Sequence, residues 1–140
     1  MNLTLFTAEQ ATKLALELAP RLEQLIELRA ELRRSETRLE VLKLTLAGAS
    51  PGNPDAEEAR NLAARREEIA ARIREGLEAI HARGPVVKDL DVGLLDFYSL
   101  AGDRLVFLCW KLGEAEVANW HPLEGGFSTR RPLDRSPLEG

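Results

Sequence analysis

An α+β fold is predicted: a long antiparallel helical hairpin of coiled-coil character, followed by a small antiparallel β-sheet, in one structural domain. Three observations predict it. Aromatic residues are segregated, with Phe6 the only one before residue 97 and the other six between Phe97 and Phe127. Leucines at 18, 25, 32, 39 and 46 recur every seven residues. After Gly84-Pro85 the apolar period shortens to two, the repeat of a strand. Aliphatic helix formers followed by aromatic strand formers put the hairpin at 1–84, the sheet packed on it at 85–128 and an extended tail at 129–140. The chain has 140 residues, 44% hydrophobic and 30% charged, a one-domain length with a globular balance.

The first helix is expected over about 8–47. Thr7 with Gln10 three residues on is a capping-box pattern, each side chain meeting an orphan backbone N–H. Beside the leucine row the companion positions read Leu14, Arg21, Leu28, Ser35 and Leu42, so the second row is interrupted twice. Four to five such heptads give a helix of about 40 residues, roughly 60 Å long. Pro20 should kink it one turn upstream. Gly48 suits a C-cap, and Asn53-Pro54 suits an N-cap with proline at the first helical position.

The second helix is expected over 54–83, with Leu62, Ile69, Ile73, Leu77 and Ile80 on one side and a weakening Gly76 within it. A short loop makes the two helices antiparallel, so residue 83 should return level with about residue 20. Residues 8–19 then overshoot the hairpin and are free to pack on the sheet. Leu22, Ile26 and Leu44 widen the apolar face beyond a two-helix seam, and a second copy of the chain is the economical cover.

Four strands are expected at VVK (86–88), LLDFY (94–98), RLVFLCW (104–110) and EVANW (116–120). In the third, Leu105, Phe107 and Cys109 face one way and Val106, Leu108 and Trp110 the other. A strand apolar on both faces should be central and covered on both.

Charge narrows the partners. The net charge of −4 is spread along the chain, and no stretch of bases forms the one-signed patch that nucleic acid binding requires. No apolar run approaches the ~20 residues of a membrane span, and the N-terminus lacks the pattern of a secretory signal. A single cysteine forms no intrachain disulfide, which fits a cytoplasmic setting.

Phosphate-loop, dinucleotide, zinc-protease, paired-cysteine and nucleophile-elbow motifs are absent from the sequence, and no catalytic residue is assigned. The best constellation is Asp96, Glu114, His121 and Cys109, of which a carboxylate on a strand, one in a turn and a histidine at a strand end can converge on a divalent metal. Each also has an ordinary role, in backbone satisfaction, turn formation and strand termination. Cys109, mid-strand among apolar neighbours, is assigned to the core. Trp120 can offer a stacking surface to a ligand, although sheet-to-helix packing suits it better.

Phe6-Thr7 ahead of a leucine-rich helix, then GLLDF (93–97), LCWKLGE (108–114), WH (120–121) and GF (126–127), resemble an uncharacterised bacterial family, domain of unknown function 2203. The resemblance covers nearly the whole chain. The family continues with Gly-Arg before a terminal Pro-Leu, where this chain has Thr129-Arg130-Arg131-Pro132-Leu133, without the glycine. The resemblance implies no activity. It does imply that Asp96, Glu114 and His121 belong to a shared pattern, and it adds Arg130 and Arg131 as candidate ligand-binding residues. The expected function is that of a cytoplasmic, non-enzymatic scaffold or interaction protein, a homodimer through its helices. The alternative is a small-ligand or divalent-metal-binding protein, hydrolase-like, with its site at Asp96, Glu114 and His121.

Overall fold

Two long helices followed by a five-stranded antiparallel sheet make up the computed structural model, which describes residues 3–46 and 52–133. The first helix, α1 (Ala8–Thr45), begins at the predicted capping box: Thr7 Oγ1 accepts the Gln10 N–H at 3.1 Å, and Gln10 Oε1 accepts the Thr7 N–H at 3.0 Å. It runs through Pro20 as one helix. Proline has no N–H for the carbonyl four residues back, that of Leu16, so that helical bond is absent. The helix closes where the Leu46 N–H meets the Leu42 carbonyl. The Gly48 cap expected from sequence lies outside the described residues.

The second helix, α2 (Pro54–His81), starts at Asn53, whose Oδ1 accepts the Asp55 N–H at 2.8 Å, with Pro54 at the first position. It stops two residues before the predicted Arg83, at a turn whose Gly84 has a φ of +118°. A side chain there would meet the Phe6 ring, so the glycine serves both conformation and space.

Side-chain bonds fix the alignment of the hairpin. Arg83 bonds Glu17, Arg65 bonds Glu31 and Arg38 bonds Glu58, each pair at 2.9 Å. These exposed or half-exposed ion pairs fix register more than they add stability. The alignment matches the predicted one to within a turn and leaves the first turns of α1 projecting past α2 toward the sheet.

The sheet is a meander in chain order: β1 (Val86–Asp89), β2 (Leu94–Ala101), β3 (Arg104–Lys111), β4 (Asn119–Pro122) and β5 (Arg131–Pro132). As expected, β3 is central. Two predictions need correction. The fourth strand starts at Asn119 rather than Glu116, because Val117 donates its N–H to Thr12 Oγ1 on α1 at 2.9 Å instead of to a neighbouring strand. The expected extended tail supplies β5, which pairs Arg131 with Trp120 and Pro132 with Asn119. The sheet therefore continues past residue 128.

Strand alternation divides the sheet into two unlike faces. Leu95 and Phe97 of β2, Val106, Leu108 and Trp110 of β3, and Trp120 of β4 form one core with Leu18, Leu22, Leu25, Ile73 and Ile80 of the helices. Burying such side chains is worth about 1.5–3 kcal/mol each, so this layer holds the sheet to the hairpin. Leu22, counted from sequence among the residues a second copy would cover, is fully buried within the chain itself. Asp96, Tyr98, Phe107, Cys109 and His121 lie on the other face, where chemistry can collect.

Candidate functional site

The turn between β2 and β3 builds the site. Gly102 (φ +65°) and Asp103 join the two strands, so Asp96, six residues before Gly102, pairs with Cys109, six after Asp103. One strand further on, His121 pairs with Phe107, which brings its ring diagonally toward Cys109 and Asp96. A ligand atom from each of Asp96, Cys109 and His121 lies within 4.8 Å of the other two. All three residues are sealed from solvent, at 2%, 1% and 1% exposure. Phe107, flanked by Tyr98 and the His121 ring, walls one side.

Hydrogen bonds orient the histidine. Its Nδ1 lies 2.8 Å from the carbonyl of Pro122, which can only accept, so Nδ1 carries a hydrogen. Its Nε2 lies 2.9 Å from Asp96 Oδ2, and that contact holds one further proton between ring and carboxyl. Desolvation pushes the Asp96 carboxyl above its ordinary range, against the pull of His121 and Lys88. Burial, with the Asp96 charge adding to it, pushes the Cys109 thiol up to about 12, while Arg130 acts the other way. A thiol held protonated in this way is no nucleophile, and that fits its assignment to the core.

Glu114 does not join Asp96 and His121 as the sequence suggested. Its carboxylate is taken up elsewhere: Oε1 accepts the Lys111 N–H at 2.7 Å, and Arg130 Nη2 donates to both oxygens at 2.9 Å. The Glu114 carbonyl also accepts the Trp110 indole N–H at 3.0 Å. Glu114 and Arg130 thus form a clasp that ties the turn after β3 to the segment after β4, with Phe127 against the Arg130 guanidinium at 4.6 Å. Arg130 Nε is buried with no hydrogen-bond partner among the described residues.

Trp120 and Arg131 fall on the opposite side. Trp120 precedes His121 in the strand and so points into the helix-facing core, while exposed Arg131 on the edge strand stands 5.3 Å from its ring. Of the six candidates, Asp96 and His121 meet, Glu114 and Arg130 meet each other, and Trp120 with Arg131 stands apart. Cys109, grouped with these residues from sequence but then assigned to the core rather than to the ligand set, takes the place expected of Glu114. The two-residue turn at Gly102-Asp103 was the signal that places it opposite Asp96.

A family model described as an uncharacterized conserved protein (DUF2203) matches residues 4–133. Neither a curated protein nor a solved structure matches the chain. No helix of the described residues is long and apolar enough to cross a membrane.

Proposed function

Because the chain belongs to the DUF2203 family, whose description assigns no activity, we propose its function from its own geometry: a non-enzymatic, cytoplasmic interaction protein that self-associates as a homodimer through its coiled-coil-like hairpin. A sealed polar cluster on the sheet, together with an open helical tip at the far end of the hairpin, carries this proposal. The groups with the most chemical potential, Asp96, Cys109 and His121, are closed to an outside substrate, and the thiol is held protonated. Among the exposed large apolar side chains, Val41 and Leu44 lie together on the outer half of α1. These two are three residues apart and share a face, while Leu39 and Leu42 are already buried within the chain. Leu44 is 78% exposed, and packing two copies along this face would take it and Val41 out of water in each.

Light scattering on the full chain at micromolar concentration tests this. The expected mass is twice 15.6 kDa, and Leu44→Glu shifts it to the monomer with unchanged helical circular dichroism. A wild-type monomer, or a Leu44→Glu dimer, sinks the proposal.

A further inference from the structure

Asp96, Cys109 and His121 come from three adjacent strands and offer three different donors: a carboxylate oxygen, a sulfur and an imidazole nitrogen. Packing alone would be served by an apolar trio, since a buried His–Asp pair must overcome its own desolvation. We infer that these three side chains bind a divalent transition-metal ion of the zinc class, which fastens β2, β3 and β4 to one another.

Four features converge on that assignment, independently of self-association. Spacing is the first. Donors around a four-coordinate zinc stand ~3.3–3.7 Å apart, given bonds of about 2.0–2.3 Å. The three atoms lie within 4.8 Å of one another, and Nε2 and Oδ2 at 2.9 Å need to part by only a few tenths of an ångström. Orientation is the second. A metal-bound histidine donates its other ring N–H to a carbonyl or carboxylate, and the Pro122 carbonyl already holds Nδ1 in that way. Nε2 is thereby the nitrogen that faces the cluster.

Charge is the third. A carboxylate, a thiolate and a neutral imidazole around a dication sum to zero, the only total a site 1–2% exposed accommodates cheaply. A monovalent or trivalent ion would leave a net charge in the core. Ligand softness is the fourth. Sulfur and imidazole favour zinc over magnesium or calcium, which prefer all-oxygen sets. The thiol proton leaves to solvent as the sulfur coordinates. The three residues supply three donors, and a water molecule completes four. Glu114, the carboxylate expected from sequence, is held by Arg130 and Lys111 and stays outside the set.

Full-length protein stripped with EDTA and returned to buffer is titrated with zinc chloride, and separately with cobalt(II) chloride as an optical probe. The expected result is one equivalent of zinc per chain with a rise in Tm. Cobalt should give a thiolate-to-metal charge-transfer band and the visible absorption of a four-coordinate ion. Cys109→Ala replaces one small buried side chain by another in the middle of β3 and keeps the fold. It should lose the cobalt–thiolate band and weaken zinc binding by more than about tenfold. His121→Gln should weaken zinc binding likewise, and if it fails to fold, Cys109→Ala alone decides. Folded wild-type protein that takes up no stoichiometric zinc overturns the assignment. So does cobalt bound without a thiolate band, or Cys109→Ala binding zinc as tightly as wild type.

Discussion

Cys109 illustrates how a residue's neighbours, rather than its type, set its chemistry. In the metal-free protein its thiol is raised from 9.0 to about 12, chiefly by burial and then by Asp96. The folded state therefore holds this proton more tightly than the unfolded chain does. The stability linked to it is complete below pH 9 and is lost as pH rises toward about 12. Urea unfolding of EDTA-treated protein should accordingly show stability falling across that window more steeply in wild type than in Cys109→Ala. At neutral pH the native thiol should resist dithiobisnitrobenzoate until denaturant is added. Prompt reaction of the folded protein would show that the cluster is open. The burial of Cys109 was legible in the sequence, because a mid-strand position among Leu105, Phe107 and Leu108 leaves it nowhere else to go. Its grouping with Asp96 was also named from sequence, but the direct pairing of the two rests on the register set at Gly102-Asp103.

At the scale of elements, the local signals held. The Thr7–Gln10 box and the Asn53-Pro54 start are decided within one helical turn, so they can be read without knowing the fold. The start of β4 and the existence of β5 depend on contacts distant in sequence. Val117 answers to Thr12, and the Leu133 N–H to the Ala118 carbonyl, which residue patterns alone do not reveal. Gly76 changes meaning in the same way. From sequence it only weakens α2, yet an added Cβ would overlap the Leu25 methyl Cδ2 and stand 3.2 Å from Cγ and Cδ1. Leu25 is itself buried, with little room to turn. Gly76→Ala should therefore lose about 1 kcal/mol, because overpacking of about 1–3 kcal/mol exceeds a helix gain of about 1 kcal/mol. A urea midpoint above wild type would mean that the helices can move apart at this contact.

At the scale of the whole molecule, burial is lopsided. The sheet covers the base of the hairpin, where Ala11, Leu14, Ala15, Leu18, Leu22 and Leu25 are buried on α1. Beyond Leu25 only Ser35, Leu39 and Leu42 are buried on α1, and no described residue of α2 before Ile69 is. The tip should open without the base. Hydrogen exchange should find the amides of 54–66 and 35–45 less protected than those of 11–25 and 69–80, and equal protection throughout would contradict a graded hairpin. The heptads and the overshoot of α1 were legible in the leucine spacing. That the chain's own sheet covers Leu22 was not, because the sheet's face could be known only once its strands were paired.

The shortest inner strand carries the polar cluster's last member, and this has a consequence for folding fidelity. Four residues form β4, with Trp120 turned to the helices and His121 to Asp96. A slip of one residue would exchange them, laying an imidazole among leucines and leaving the Asp96 carboxyl beneath an indole. An uncompensated group of this kind loses about 3–5 kcal/mol, more than so short a strand can recover from shifted ladder bonds. The Asp96–His121 bond thus acts as a proofreading key that accepts one alignment of the meander and rejects its nearest error.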